Sequence, residues 1–273
     1  MTRPQAGAFA ATRDGVRLYY RVQGRPGAPW LVLLNALLTD ATLWAGALPH
    51  LTPRFRVLTF DGRGQGRSDA PAEGPYTPAQ LAADAWDLMA HLDIRRPGLA
   101  GLSNGGAVGL ELLAAHPGEF RGAVLAAAPP RTDLLMTLRL QHWLRCLELG
   151  GPALQFEAAA PWLWGERYLE SRYSTLKNYF LNNQYSHEPS CAYRHQIAGV
   201  LGWDICSRLG AIQDPLLLLA GSADLLTPPW KCMETARLVN HSRFELVEGM
   251  AHAYPVESPQ AFARKVVEFL QYD

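Results

Sequence analysis

Pro97-Gly98-Leu99-Ala100-Gly101-Leu102-Ser103-Asn104-Gly105-Gly106-Ala107-Val108-Gly109 is the stretch on which the fold is decided. A short apolar run ends at Gly101, and the helical pattern of Val108, Leu110, Leu112 and Leu113 starts within a few residues, so Ser103 falls on a turn between strand and helix. A nucleophilic serine on such a turn is held in a strained backbone conformation with its hydroxyl raised above the sheet. Side chains two residues before it and two or three after it would collide there; Gly101, Gly105 and Gly106 remove those collisions. The helix that follows points free N–H groups at the same spot, which suits a developing negative charge. Gly-x-Ser-x-Gly arises by chance in roughly one chain of this length in ten, so the flanking elements must decide between a nucleophile and an ordinary glycine-rich turn.

Those elements read as alternating strands and helices. Residues 8–22 form a hairpin about Arg13-Asp14-Gly15, and buried parallel-type runs follow at 30–34, 56–60, 98–100, 123–127, 215–220 and 244–247. Thr77-Pro78-Ala79-Gln80 is a capping box ahead of the stripe Leu81, Ala85, Leu88, Met89 and Leu92. Thr227-Pro228 opens another helix, and Ser258-Pro259 opens the last, with Phe262, Val266, Phe269 and Leu270 facing inward. Alternation of this kind implies a mostly parallel sheet covered on both faces.

Residues 131–207 break the rhythm. They hold no strand-like run, only helix-compatible segments dense in aromatics, including Trp143, Trp162, Trp164, Tyr168, Tyr179, Tyr185 and Trp203. An insertion there leaves the sheet and covers its C-terminal edge, where ligands of open α/β sheets bind. Most of its aromatics are expected to pack within a helical cap and a few to face the cavity, with Leu38, Trp143 and Trp164 as candidate substrate contacts. Its Arg139, Arg145, Arg167, Arg172 and Arg194 read as a solvated face; a carboxylate-bearing substrate would need at least one to point inward.

With 273 residues, 48% hydrophobic and 18% charged, the chain is long enough for a well-formed core. Lys plus Arg and Asp plus Glu are balanced at 25 each, so no basic excess addresses nucleic acid. No signal-like segment or membrane-length apolar run is present, which reads as cytoplasmic. Cys146, Cys191, Cys206 and Cys232 lack metal spacing and read as free thiols. Whether one copy or a homodimer works together is left open.

A nucleophilic serine needs a base within hydrogen-bond reach and an acid that orients the base. Among eight histidines, His50, His91 and His116 fall near helix C-termini, His241 precedes a strand, and His142, His187 and His195 lie in the insertion. His252 follows the last strand on the edge where Ser103 emerges, and is the chosen base. Asp224, after the run ending at Ala220, is the chosen acid in the chain order Ser, Asp, His; Asp133 is its rival. The oxyanion donors are expected to be the backbone N–H groups of Asn104 and Leu37.

Together these residues resemble the α/β-hydrolase superfamily over nearly the whole chain outside residues 131–207. Asp61-Gly62-Arg63-Gly64-Gln65-Gly66-Arg67-Ser68 is similar to the family's Asp-x-Arg-Gly-x-Gly-x-Ser turn, and its glycine spacing is not that of a nucleotide loop. Where the family usually carries His-Gly, this chain has Asn35-Ala36. The string Asn35-Ala36-Leu37-Leu38-Thr39-Asp40 resembles the Asn-Ser-Leu-Gly-Thr-Asp of 3-oxoadipate enol-lactonases, with Leu38 in the glycine's place. The resemblance implies an α/β-hydrolase fold, with a core of residues 1–130 and 208–273 and a helical cap, 131–207, inserted after the sixth strand. It implies a metal-free, cofactor-free serine hydrolase of a small ester or lactone. The same triad also serves C–C bond hydrolysis and cofactor-free haloperoxidase or perhydrolase chemistry. A non-catalytic binding protein usually leaves a triad position vacant, and none is vacant here.

Overall fold

The computed structural model describes residues 7–183 and 189–271, with side chains except those of 182–190. Tyr185 and His187 therefore lie outside the described residues. The hairpin pairs β1 (Ala8–Ala11) with β2 (Arg17–Gly24). It leads into β3 (Trp30–Leu34), the single-turn α1 (Leu48–Leu51), β4 (Arg56–Phe60) and α2 (Pro78–His91). Then come β5 (Gly98–Leu102), α3 (Asn104–Ala115) and β6 (Gly122–Ala126). After the insertion the chain returns through β7 (Leu216–Gly221), with β8 (Ser242–Val247) beyond it. The sheet order among these strands is β1-β2-β4-β3-β5-β6-β7-β8; β2 runs antiparallel to both its neighbours and the remaining pairs are parallel.

The central strands are apolar throughout because both their faces are buried, and successive residues feed opposite cores. Val32 and Leu34 of β3, Leu125 of β6 and Leu216 and Leu218 of β7 join Leu81, Leu88 and Leu112 from α2 and α3. Leu31 and Leu33, Val124, and Leu217 and Leu219 join Leu51 of α1 and the stripe Phe262, Val266 and Leu270 of α9 (Pro259–Leu270) on the other face. Thr77 caps α2 as its capping box requires, its hydroxyl accepting from Gln80 N at 3.2 Å. Two expectations are corrected. β5 runs on to Leu102, two residues past the end of its expected run, and β8 is a half-exposed edge strand from Ser242 rather than a buried one from Phe244. An edge strand has one partner and is less covered than a central one, so Phe244 and Val247 are only half-buried and Arg243 and Leu246 are exposed.

Between β6 and β7 lie α4 (Leu134–Leu163), α5 (Glu166–Asn183) and α6 (Pro189–Val200). α4 is broken at Gly151, whose φ of 69° is followed by Pro152. Pro152 lacks the N–H that an unbroken helix would use, which fixes the kink there. The two ends of this segment are tied together by the bridge of Arg131 with Asp204, by Thr132 N donating to Trp203 O at 2.9 Å, and by Ile205 N donating to Pro130 O at 3.0 Å. α7 (Pro229–Leu238) lies between β7 and β8, and α8 (Tyr254–Glu257) between β8 and α9. Among the described residues no helix is long and apolar enough to cross a membrane.

Candidate active site

Ser103 sits between β5 and α3 with φ 56° and ψ −113°, a left-handed conformation that costs a non-glycine residue energy and is retained only where the surroundings enforce it. The enforcement is visible in its neighbours. A Cβ on Gly105 would lie 2.0 Å from Leu34 O, and one on Gly101 would lie 2.5 Å from Gly105 O. Ser103 N donates to Ala126 O at 2.9 Å, which ties the turn to the end of β6.

The loops after β7 and β8 are held against each other: Ser222 N donates to Val247 O at 3.0 Å and Ala223 N to Met250 O at 2.9 Å. This zipper carries Asp224 and His252 together, with His252 Nδ1 2.9 Å from Asp224 Oδ2 and both residues buried. Asp224 Oδ1 accepts from Leu226 N and Thr227 N, each at 2.8 Å, and Oδ2 also accepts from the Thr227 hydroxyl at 2.7 Å. Burial alone would raise this carboxyl, but the His252 ring and the Thr227 donors outweigh it and hold it below the ordinary carboxylate range. The ionised acid fixes the imidazole proton on Nδ1, which leaves Nε2 as the basic nitrogen. Ser103 and His252 line one cavity of about 420 Å³.

Thr227-Pro228 leads into α7, with Pro228 at its N-cap, and the Thr227 hydroxyl is spent on Asp224, its oxygen 3.1 Å from His252 Nδ1. The rival acid, Asp133, is engaged elsewhere: it caps α4 through Met136 N at 2.9 Å and pairs with Lys231 at 2.7 Å. His50 and His91 lie in the last turns of α1 and α2, His116 follows α3, and His241 immediately precedes β8. His142 meets Cys146 Sγ at 3.6 Å, and His195 meets Ala72 O at 3.0 Å.

Leu37 and Asn104 line the cavity, and among the described residues the backbone N–H of neither has an acceptor. The loop that carries Leu37 is fixed on both sides by side-chain amides. Gln65 Nε2 donates to Ala36 O at 3.1 Å, and Leu38 N donates to Gln196 Oε1 at 3.1 Å. Gln196, brought in by α6, also donates from Nε2 to Gly64 O at 2.8 Å. Asn35 Nδ2 donates to Phe60 O at 2.7 Å, and Asn35 Oδ1 accepts from Trp44 Nε1 at 2.9 Å. Asp61 accepts from Ala41 N at 2.8 Å and from Arg67 N at 2.9 Å. The 61–68 turn is thus a brace for this loop. Leu38, where the resembling string has glycine, takes φ 58°, a conformation that glycine adopts without strain.

Leu38, Trp143 and Trp164 all line the cavity. None of Arg131, Arg139, Arg145, Arg167, Arg172 and Arg194, the arginines of the insertion, does. Arg139 donates to Leu225 O and Leu226 O at 2.9 and 3.1 Å and covers the Trp162 ring; Arg194 pairs with Glu148 at 2.6 Å; Arg145, Arg167 and Arg172 are exposed.

Compared with known proteins, residues 29–259 match the family model described as alpha/beta hydrolase fold. The chain belongs to the alpha/beta hydrolases. It is 28% identical to a protein of Caulobacter sp. (strain K31) provisionally named carbamate hydrolase RutD, covering 96% of this chain and 97% of that protein. It is 26% identical to 3-oxoadipate enol-lactonase 2 of Acinetobacter baylyi, over 93% of each. The crystal structure of the enol-lactonase from Burkholderia xenovorans superposes with a TM-score of 0.87 at 29% identity, covering 97% of this chain and all of that one. The alpha/beta hydrolase assignment makes a hydrolase of this chain, with enol-lactonases among its relatives.

Proposed function

We propose that this hydrolase cleaves small carboxylic esters or lactones by a serine acyl-enzyme mechanism, with Ser103 as nucleophile, His252 as base and Asp224 as the orienting acid. The observation that carries this reading is the buried His252–Asp224 pair at 2.9 Å, opening on the same cavity as a serine held in a strained turn. In this mechanism His252 Nε2 takes the proton of Ser103 as its oxygen attacks the carbonyl carbon. The tetrahedral oxyanion is received by the N–H groups of Leu37 and Asn104. Asp224 offsets the charge of the imidazolium, which then protonates the leaving alkoxide. Water, deprotonated by the same ring, releases the acid and restores Ser103. The reading calls on no metal or cofactor. Residues 131–207 serve as a cap: Ala253 N, next to the base, donates to Leu163 O at 2.8 Å, so the end of α4 braces the His252 loop. The enol-lactonases among its relatives favour ester and lactone carbonyls as substrates.

The test is turnover of a short p-nitrophenyl ester by Ser103→Ala. A loss of several orders of magnitude is expected with the fold intact; wild-type turnover would refute the assignment.

A further inference from the structure

We propose, resting on the serine-hydrolase reading, that the acyl group this site takes is uncharged and apolar, and that esters or lactones carrying a free carboxylate on the acyl chain are excluded. The argument starts from the wall. Apart from His252, no side chain lining the cavity among the described residues is ionisable at neutral pH. The part supplied by α4, α5 and α6 is largely apolar, with Trp143, Phe180 and Val200 among it, and its polar side chains, those of Gln155, Tyr168, Thr175 and Tyr179, are uncharged. Segment 182–190, whose side chains are not described, contains neither Lys nor Arg.

The polar groups on the other wall point the same way. The Tyr179 hydroxyl of α5 bonds the Thr42 hydroxyl, which in turn donates to Asp40. Burial, with the charges of Asp40 and Asp61 behind it, pushes the Tyr179 phenol up to about 12. The carboxylates of Asp40, bonded to Thr42, and Asp61, bonded to Ala41 N, stand just behind this wall, and a substrate carboxylate would enter a mostly apolar cavity with no Lys or Arg among its described lining residues and like charges nearby. Such a site accepts a neutral acyl chain, whose transfer from water is favourable, and rejects its ω-carboxylate counterpart. The enol-lactonase resemblance then holds for the fold and stops at the charge of the acyl group.

Two esters of equal acyl length and leaving group test this on the full chain: p-nitrophenyl hexanoate and mono-p-nitrophenyl adipate. Labelling of Ser103 by an uncharged fluorophosphonate, read by mass spectrometry, is run in parallel. The neutral ester is expected to be favoured in kcat/KM by on the order of 100-fold or more, the scale set by burying one unpaired charge. Leu176→Arg, which adds a cation to the wall, is expected to narrow that preference about tenfold, roughly the effect of one partly buried ion pair. Comparable kcat/KM for the two esters, with Ser103 labelled, would overturn the charge inference and leave the hydrolase reading standing. No turnover of either ester despite labelling would also overturn it, since the cavity would then not hold this acyl chain. No turnover and no labelling would remove the hydrolase reading and this inference with it.

Discussion

Replacing Gln196 by leucine separates positioning of the oxyanion loop from binding of substrate. Gln196 is 2% exposed and lies outside the cavity wall, yet its Oε1 accepts from Leu38 N at 3.1 Å and its Nε2 donates to Gly64 O at 2.8 Å. In Gln196→Leu both backbone groups lose a buried partner, at about 1–3 kcal/mol for each group left unsatisfied. Leu38 already holds φ 58°, a conformation that costs an L-residue about 1–2 kcal/mol, so the released loop has a lower-energy alternative to relax into. The Leu37 N–H moves with it. Loss of a whole oxyanion donor costs about 10²–10³ in kcat, and partial displacement is expected to cost about 10–100-fold, with KM little changed because the donor acts on the transition state. The assay is steady-state kinetics on a neutral p-nitrophenyl ester, with affinity for a trifluoromethyl ketone measured beside it. That affinity is expected to fall in step with kcat/KM, since the adduct carries the oxyanion. A raised KM at constant kcat, or lost stability with kcat and ketone affinity intact, would refute the positioning role.

Two further outcomes follow from the same geometry. In Thr227→Val the shape is kept but Asp224 Oδ2 loses the hydroxyl it meets at 2.7 Å; a stability loss of about 1.5–3 kcal/mol, typical of a hydrogen bond to a charged group, is expected in urea denaturation together with lower turnover, and no change in either would contradict the role given to Thr227. At Leu38 the usual order of small residues should invert: Leu38→Gly is expected to be more stable than Leu38→Ala by about 1 kcal/mol, because both lose the buried side chain and only glycine relieves the positive φ. Equal thermal midpoints for the pair would show that the loop is not held in that conformation.

The parts of the fold legible in the sequence are those where one local pattern has one physical solution. Buried runs such as residues 30–34 and 215–220 are apolar at successive positions because both faces of the sheet are covered. The glycines around Ser103 are required by contacts below 3 Å that are local to the turn or directly beneath it. Asp224 and His252 were legible because each follows a strand on the same sheet edge. Contacts made across the chain were not. Gln196 meets Leu38 over 158 positions, and nothing in the pattern of α6 distinguishes it from a solvated glutamine. Thr227-Pro228 opens α7 as its pattern implies, but nothing local to Thr-Pro marks the Thr227 hydroxyl as the donor to the buried Asp224 carboxylate. Arg139, Arg145, Arg167, Arg172 and Arg194, by contrast, read as a solvated face, and none of them lines the cavity.

The central claim is that Ser103 becomes acylated through His252. Rapid mixing with a p-nitrophenyl ester, acid quench and peptide mass spectrometry measure this directly. The account predicts an acyl mass on the peptide carrying Ser103, absent in Ser103→Ala and strongly slowed in His252→Ala. An adduct on another residue, or ester turnover with Ser103 never modified, would contradict it.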